Sequence, residues 1–240
     1  MLDIIQYKDI KKYKRYIPFD VCTNSRLYFD KDLIHKIFFY KTRDFDNILK
    51  KIDELKLEEL VELKKLIYKN GFIVGYSIKN YKEYKSLNKF KNRKLEFKKE
   101  DCYKIVKAFD KLLKNNLSYV DLTTSNILLN KETNDIKICD LDSLIFNKSE
   151  SDELDLKKLL IFVLSYLYNI HQTHIRNVLI SGDGLENTFI GLYKMTKENC
   201  SLEHINTIIK NITQENIKNE KKLIINKSRQ LIETGYTKFL

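Results

Sequence analysis

The chain is poor in the residues that punctuate and staple a fold: of 240 residues, one is proline, six are glycine, four are cysteine and none is tryptophan. Cys22, Cys102, Cys139 and Cys200 stand far apart, with no CxxC pair and no histidine spaced for a zinc site, which excludes a disulfide scaffold and a zinc module. They read as reduced, mostly packed thiols of an intracellular protein. The first residues, Met1 to Lys8, lack the apolar core of a signal peptide. The longest apolar run, Leu159 to Tyr168, falls well short of the roughly 20 residues a bilayer demands. No membrane span and a cytoplasmic location are expected. No internal repeat is visible.

Positive charge is what the chain has in excess. Lys and Arg number 44 against 33 acids, a formal charge of +11, which could attract nucleic acid, an acidic membrane or a phosphorylated ligand. The excess reads as solubilising lysine on exposed helix faces, part of a Lys, Ile, Asn and Tyr bias that an AT-rich coding sequence would also give. A basic stretch from Lys79 to Lys99, interleaved with Tyr81, Tyr84 and Phe90, matches no nucleic-acid module, so nucleic acid is not the favoured partner. The length allows one large domain or two small lobes with a substantial core.

The informative stretch is 117–143. Asp121 and Asn126 stand five residues apart in a polar loop, and the aliphatic Ile127, Leu128 and Leu129 that follow read as a short strand. A polar turn at 130–135 leads to a second strand, Ile136 to Cys139, which ends in Asp140 and Asp142. Such a hairpin brings Asp121, Asn126 and Asp140 to one edge. A carboxylate and an amide oxygen are hard donors suited to Mg²⁺, which takes few protein ligands and completes its shell with water and phosphate oxygens. A further carboxylate can orient a hydroxyl or accept its proton in phosphoryl transfer. Asn126 and Asp140 are the candidate metal ligands, and Asp121 the candidate base.

This pattern resembles the protein-kinase superfamily, in which a catalytic aspartate is followed five residues on by a metal-binding asparagine and, after a short strand pair, by Asp-Phe-Gly. Here Tyr119, Val120, Asp121 and Leu122 lead to Asn126, and Asp140, Leu141 and Asp142 stand where Asp-Phe-Gly would. The resemblance spans roughly residues 21–170. It implies an α+β, two-lobed fold, with a small β-rich N-lobe over 1–80 and a helical C-lobe over 81–240 that carries the catalytic hairpin. It also implies ATP and Mg²⁺ as cofactors.

Other positions take their roles from the same resemblance. Arg26 to Phe29, a charged turn at Asp30 to Asp32, and Leu33 to Tyr40 read as two strands, and Lys36 falls where kinases keep the lysine that holds the nucleotide phosphates, with Lys41 in competition. A short helix over 46–55 follows, and its acids Asp44, Asp46, Asp53 and Glu54 compete to pair with that lysine, Asp46 being preferred. A further helix is expected over 58–63. Asn70-Gly71 predicts a tight hairpin turn between strands at 65–68 and 72–78. Ile78 to Tyr81 then falls at the hinge that receives adenine through backbone groups, which makes Ile78 and Asn80 the cofactor-binding candidates.

Helices are expected over 101–113, 154–168, 185–200, 201–212 and 213–234, with Ser201 and Thr213 as N-caps. The same resemblance implies that Asp155, or Asp152, braces the catalytic loop, while an acid facing the helix macrodipole fits equally well. Residues 1–20 read as a lead-in strand or arm.

Three departures qualify the resemblance. No glycine occurs over 18–30, where a phosphate-covering loop should lie; Asp142 replaces a glycine; and Thr123 replaces the lysine usual in protein serine/threonine kinases. Only about a dozen residues separate Asp140 from the next helix, without Ala-Pro-Glu. The expected activity is transfer of the γ-phosphate of ATP to a hydroxyl acceptor, protein or small molecule, with Lys36 on the phosphates. The alternative is a pseudokinase, a nucleotide-binding or scaffolding module.

Overall fold

The computed structural model describes residues 2–16, 25–39, 44–146, 152–181, 185, 187–191 and 201–234. In chain order the elements are β1 (Asp3–Gln6), α1 (Tyr7–Ile10), β2 (Lys14–Tyr16), β3 (Ser25–Phe29), β4 (Leu33–Phe38), α2 (Phe45–Leu55), β5 (Leu63–Lys69), β6 (Phe72–Lys79) and β7 (Tyr84–Ser86). They continue as α3 (Leu95–Lys114), β8 (Leu117–Tyr119), β9 (Ile127–Asn130), β10 (Ile136–Ile138), β11 (Leu144–Phe146), α4 (Asp152–Tyr168), α5 (Gln172–Ser181), α6 (Leu202–Asn211) and α7 (Gln214–Glu233). The fold is α+β. Among the described residues no helix is long and apolar enough to cross a membrane.

Two compact units result, residues 1–85 with 128–145, and 86–127 with 146–240. The hairpin is divided between them, with Asp121 and Asn126 in the second unit and Asp140 in the first. The cause is strand pairing. Leu60 bridges Ile138 in parallel, the N–H of Ile138 donates to the Glu59 carbonyl at 2.7 Å, and the N–H of Val61 donates to the Ile138 carbonyl at 3.0 Å. The same pairing explains why the helix expected over 58–63 does not form. Those backbone groups are taken by a strand nearly 80 positions away, and Leu63 already opens β5.

The first unit is built on a six-stranded sheet in the order β1-β5-β6-β4-β3-β2. The lead-in segment supplies its edge, because β1 runs parallel to β5 from Asp3 opposite Lys65 to Gln6 opposite Tyr68. Asn70 and Gly71 turn the chain with φ of 52° and 81°, both positive as the tight hairpin requires. α2 forms as expected. It buries Phe45, Ile48, Leu49 and Ile52 at helical spacing, and the Phe45 ring lies 4.8 Å from Phe38 and 6.2 Å from Tyr76.

The second unit is helical. α3 begins at Leu95, earlier than the expected Asp101, and buries Cys102, Ile105, Val106, Phe109 and Leu112 along one stripe. α4 is buried nearly all round, as a core helix should be. Buried charge is matched. Asp101 is fully buried and receives Arg93 Nη1 at 3.0 Å and the Tyr166 hydroxyl at 2.8 Å. α6 and α7 start at the expected caps. Ser201 Oγ accepts the N–H of His204 at 3.0 Å, and Thr213 forms a reciprocal capping box with Asn216.

The helix expected over 185–200 is not found in its described part, while 192–200 lies outside the described residues. Thr188 caps the Leu185 carbonyl, and Glu220 on α7 accepts the N–H groups of Phe189 at 2.6 Å and Ile190 at 3.3 Å, so side chains satisfy this backbone as a turn. α5 had no counterpart in the sequence reading.

Gly75 on β6 is a packing constraint. A Cβ there would stand 2.1 Å from the carbonyl oxygen of Lys36 on β4. Gly75→Ala should therefore lower unfolding free energy by about 1–3 kcal/mol, the usual range for forced overpacking. Urea unfolding followed by far-UV circular dichroism measures it, and an unchanged midpoint would show that β4 yields without loss.

Candidate functional site

The first unit contributes a lysine, two carboxylates and a phenol. Lys36 pairs with Tyr76 across β4 and β6, and cross-strand partners share a face of the sheet. Both reach the segment that follows β10. The Lys36 ammonium donates to Asp140 Oδ1 and, at 2.6 Å, to Asp142 Oδ1. The Tyr76 hydroxyl donates to the same oxygen of Asp142 at 2.9 Å and accepts the N–H of Leu141 at 3.1 Å. Ser143 Oγ closes the group by donating to Asp140 Oδ2 at 2.7 Å.

Local conformation makes this possible. Asp140 adopts a left-handed backbone with φ 66° and ψ 57°, one that Asp tolerates better than most residues, and the chain then turns through a single 3₁₀ turn at 141–143. That turn folds Asp142 back beside Asp140.

Two acids share one base, and their pKa values are pushed in opposite directions. Burial pulls the Lys36 ammonium down, but attraction to Asp140 and Asp142 outweighs it and its pKa lies above the ordinary lysine value. Burial lifts Asp140, yet Lys36 and its hydrogen bonds bring it below the ordinary carboxylate value. Asp142 ends above that value, because burial and the neighbouring Asp140 outweigh Lys36. Asp140 is thus the more acidic of the two carboxyls. Burial pushes the adjoining Cys139 thiol up to about 12, which removes it as a nucleophile at neutral pH.

The second unit contributes the loop that holds Asp121. Asn126 Nδ2 donates to the Asp121 backbone oxygen at 2.9 Å and to Asp121 Oδ2 at 3.0 Å, so the five-residue spacing closes the loop on itself. The loop backbone is pinned from outside. Gln172 Nε2 donates to the Leu122 carbonyl at 2.9 Å, and Ser86 Oγ and the Asn88 N–H donate to the Thr124 carbonyl at 3.0 and 3.1 Å. Upstream, Ser118 on β8 donates its hydroxyl to Asp155, which is 2% exposed on α4. The bracing expected of Asp155 is thus made through a serine side chain.

Some expected residues take other places. Lys36 pairs with none of the acids weighed beside it: Asp46 stands in the first turn of α2, and Asp140 and Asp142 hold the lysine instead. The cause is the 3₁₀ turn, which delivers a second carboxylate to Lys36 at a position where the family pattern has none. Ile78 lies within β6, opposite Ile34 and Leu63. The N–H of Asn80 donates to the Asp32 carbonyl at 2.9 Å, so that backbone donor is engaged within the chain. Lys41 lies outside the described residues. Sequence reasoning missed Tyr76, Ser118, Ser143 and Gln172, single polar residues whose partners are remote in sequence.

Among the described residues no three or more His, Cys, Asp or Glu side chains gather as a metal cage. The donors present still fit Mg²⁺. Each Asp140 oxygen accepts one hydrogen bond and keeps lone-pair capacity for a hard cation that needs few protein ligands.

No protein-family model and no curated protein matches the sequence. Among solved structures, the Cydia pomonella granulovirus kinase PK-1 is similar, with a TM-score of 0.54 and 12% identity over 68% of this chain and 71% of that one. The fold is protein-kinase-like.

Lys36→Met should destabilise the protein at neutral pH by about 2 kcal/mol, less than for a fully buried pair because both ends keep some solvent. Asp140 has a depressed pKa, so its contribution is present above the ordinary carboxylate value and lost as pH falls through the folded one. Denaturant titrations of both proteins should therefore show the gap closing at acid pH; a gap independent of pH would refute the pairing.

Proposed function

We propose that this chain uses its protein-kinase-like fold as a Mg²⁺- and ATP-dependent phosphotransferase acting on a hydroxyl. The observation that supports this most is the Lys36–Asp140 pair, a cation and a hard anion held on rigid sheet and turn. Lys36 would hold the nucleotide phosphates, Asp140 and Asn126 would hold Mg²⁺, and Asp121 would serve the acceptor. Bound Mg²⁺ would neutralise phosphate charge and orient the phosphates.

Charge arithmetic favours a metal-bearing nucleotide. One lysine against two carboxylates leaves the group with about one net negative charge. Free phosphate groups are repelled there. With a divalent cation held by Asp140, the local charge would be positive and Lys36 would be available to the phosphates.

In the transfer, the acceptor oxygen bonds to the γ-phosphorus while the bond from phosphorus to the β,γ-bridging oxygen breaks, and that electron pair leaves with ADP. The acceptor's proton passes to the Asp121 carboxylate. Asn126, bonded to Oδ2, holds that carboxylate in one orientation. The loop's three backbone anchors mean that little reorganisation is left for the reaction step.

A second reading, a pseudokinase, draws on the same lysine: it is held by Asp142, at the position where kinases keep glycine, and not by an acid on α2.

Purified protein with γ-labelled ATP and Mg²⁺ separates the two. Wild type should release or transfer label. Asp140→Ala should abolish it, and Asp121→Ala should keep nucleotide-induced thermal stabilisation while losing about a hundredfold or more of turnover. Equal turnover in Asp121→Ala would sink the assignment; stabilisation by Mg²⁺-ATP without turnover in any protein would favour the pseudokinase.

A further inference from the structure

Beside Asp121, within the second unit, lies a concavity of about 260 Å³ that the proposed chemistry does not yet account for. Its wall is basic. Asp121 and Thr123 come from the loop, Lys158 from α4, and His171, Gln172 and Arg176 from the start of α5. The volume is below the ~300–1,000 Å³ of pockets that enclose drug-sized ligands, so it suits one small molecule or head group.

The basic residues differ in what already holds them. Lys158 is one turn from Asp155, at 3.6 Å, but Asp155 is buried and already accepts the Ser118 hydroxyl, while the Lys158 side chain is 33% exposed. Among the described residues no carboxylate pairs with the exposed Arg176. His171 Nδ1 accepts the Thr173 N–H at 3.2 Å, which fixes the ring at the head of α5 and leaves Nε2 as the other polar atom of the ring. Gln172 ties that head to the Leu122 carbonyl, so the basic wall and the loop of Asp121 move as one piece.

We infer that this concavity is the acceptor site, and that the acceptor is a small hydroxyl compound bearing a phosphomonoester, its phosphate held by Lys158 and Arg176 and its hydroxyl presented to Asp121. The inference rests on the phosphotransferase reading for the word acceptor, and on the pocket alone for the anion. A guanidinium fork with an ammonium matches a phosphate better than a neutral polyol, which would leave Arg176 without an anion and Lys158 with only its 3.6 Å contact to Asp155. Asp121 repels an anion from its own end of the pocket. The charged group must therefore lie at the basic wall, with the hydroxyl toward the carboxylate, which orients the molecule. Thr123 fits this reading, since the pocket already takes its cations from α4 and α5.

The test is calorimetric titration of the full chain with inorganic phosphate and with glycerol 3-phosphate, with glycerol as the neutral control, on wild type, Arg176→Gln, Lys158→Gln and Lys36→Gln. Both phosphates should bind wild type and glycerol should not. Arg176→Gln and Lys158→Gln should each weaken phosphate about tenfold, whereas Lys36→Gln should leave it unchanged. No phosphate binding by wild type, or equal binding in the Arg176 and Lys158 variants, would overturn the inference. So would loss confined to Lys36→Gln, which would place the phosphate in the nucleotide site, or tighter binding of an acidic serine peptide than of glycerol 3-phosphate. Arg176→Gln should melt like wild type, and Lys158→Gln, which loses its contact to Asp155, should stay folded at the titration temperature, which separates lost binding from lost folding. Mg²⁺-ATP stabilisation, read on wild type and Lys36→Gln, reports on the nucleotide site independently of these results.

Discussion

One lysine held by two carboxylates is the interaction on which the first unit's chemistry depends. Lys36 can reach Asp140 and Asp142 only because several conditions hold together. β4 is in register with β6 so that Lys36 lies opposite Tyr76; Gly75 lets the two strands approach; and Asp140 accepts a left-handed backbone so that the chain can turn. Tyr76 secures the arrangement from below by bonding both Asp142 and the backbone of Leu141. Burial of the phenol and the adjacent carboxylates raise its pKa well above the usual value, so it stays a neutral donor throughout the physiological range. A donor that cannot ionise is what a doubly acidic neighbourhood needs.

The second unit solves a different problem, that of holding an exposed loop still. Asp121 is exposed, and exposed loops are ordinarily mobile. Here the loop is restrained by an internal Asn126 bridge, by hydrogen bonds to Leu122 and Thr124, and by the buried Asp155 beneath Ser118. Rigidity comes from the backbone's partners, and the carboxylate remains open to solvent. That combination suits a group that must meet a diffusing acceptor yet hold one orientation.

Legibility in the sequence followed the range of the interactions. Asn70-Gly71, the amphipathic α2, the caps at Ser201 and Thr213 and the spacing of Asp121 and Asn126 are local, and each was readable from a few neighbouring residues. Segment 58–63 was misread as helix because its local pattern is helical, while its backbone is claimed by Ile138. The described part of the helix expected over 185–200 gives way for the same reason, with Glu220 as the distant claimant. α5 carries an apolar stripe at Ile175, Val178 and Leu179, a signal that was present but was masked by the polar residues at its start. Asp46 was preferred on family analogy alone, and the second acid at Asp142, visible as a departure from the family pattern, was the better indicator. In the candidate site, residue types were legible and pairings were not, since Lys36 and Asp140 are separated by 104 positions.

The global and local charges of the chain act at different ranges. A formal +11 draws polyanions from solution, but at physiological salt that attraction fades within about 8 Å. Close to Lys36 the two carboxylates dominate, and an anion that the basic surface recruits meets repulsion there unless it brings its own cation. Near Asp121 the order is reversed, with one carboxylate facing Lys158 and Arg176. The local charge of the two units therefore differs in sign: carboxylates outnumber the lysine around Lys36, and basic side chains outnumber the carboxylate beside Asp121.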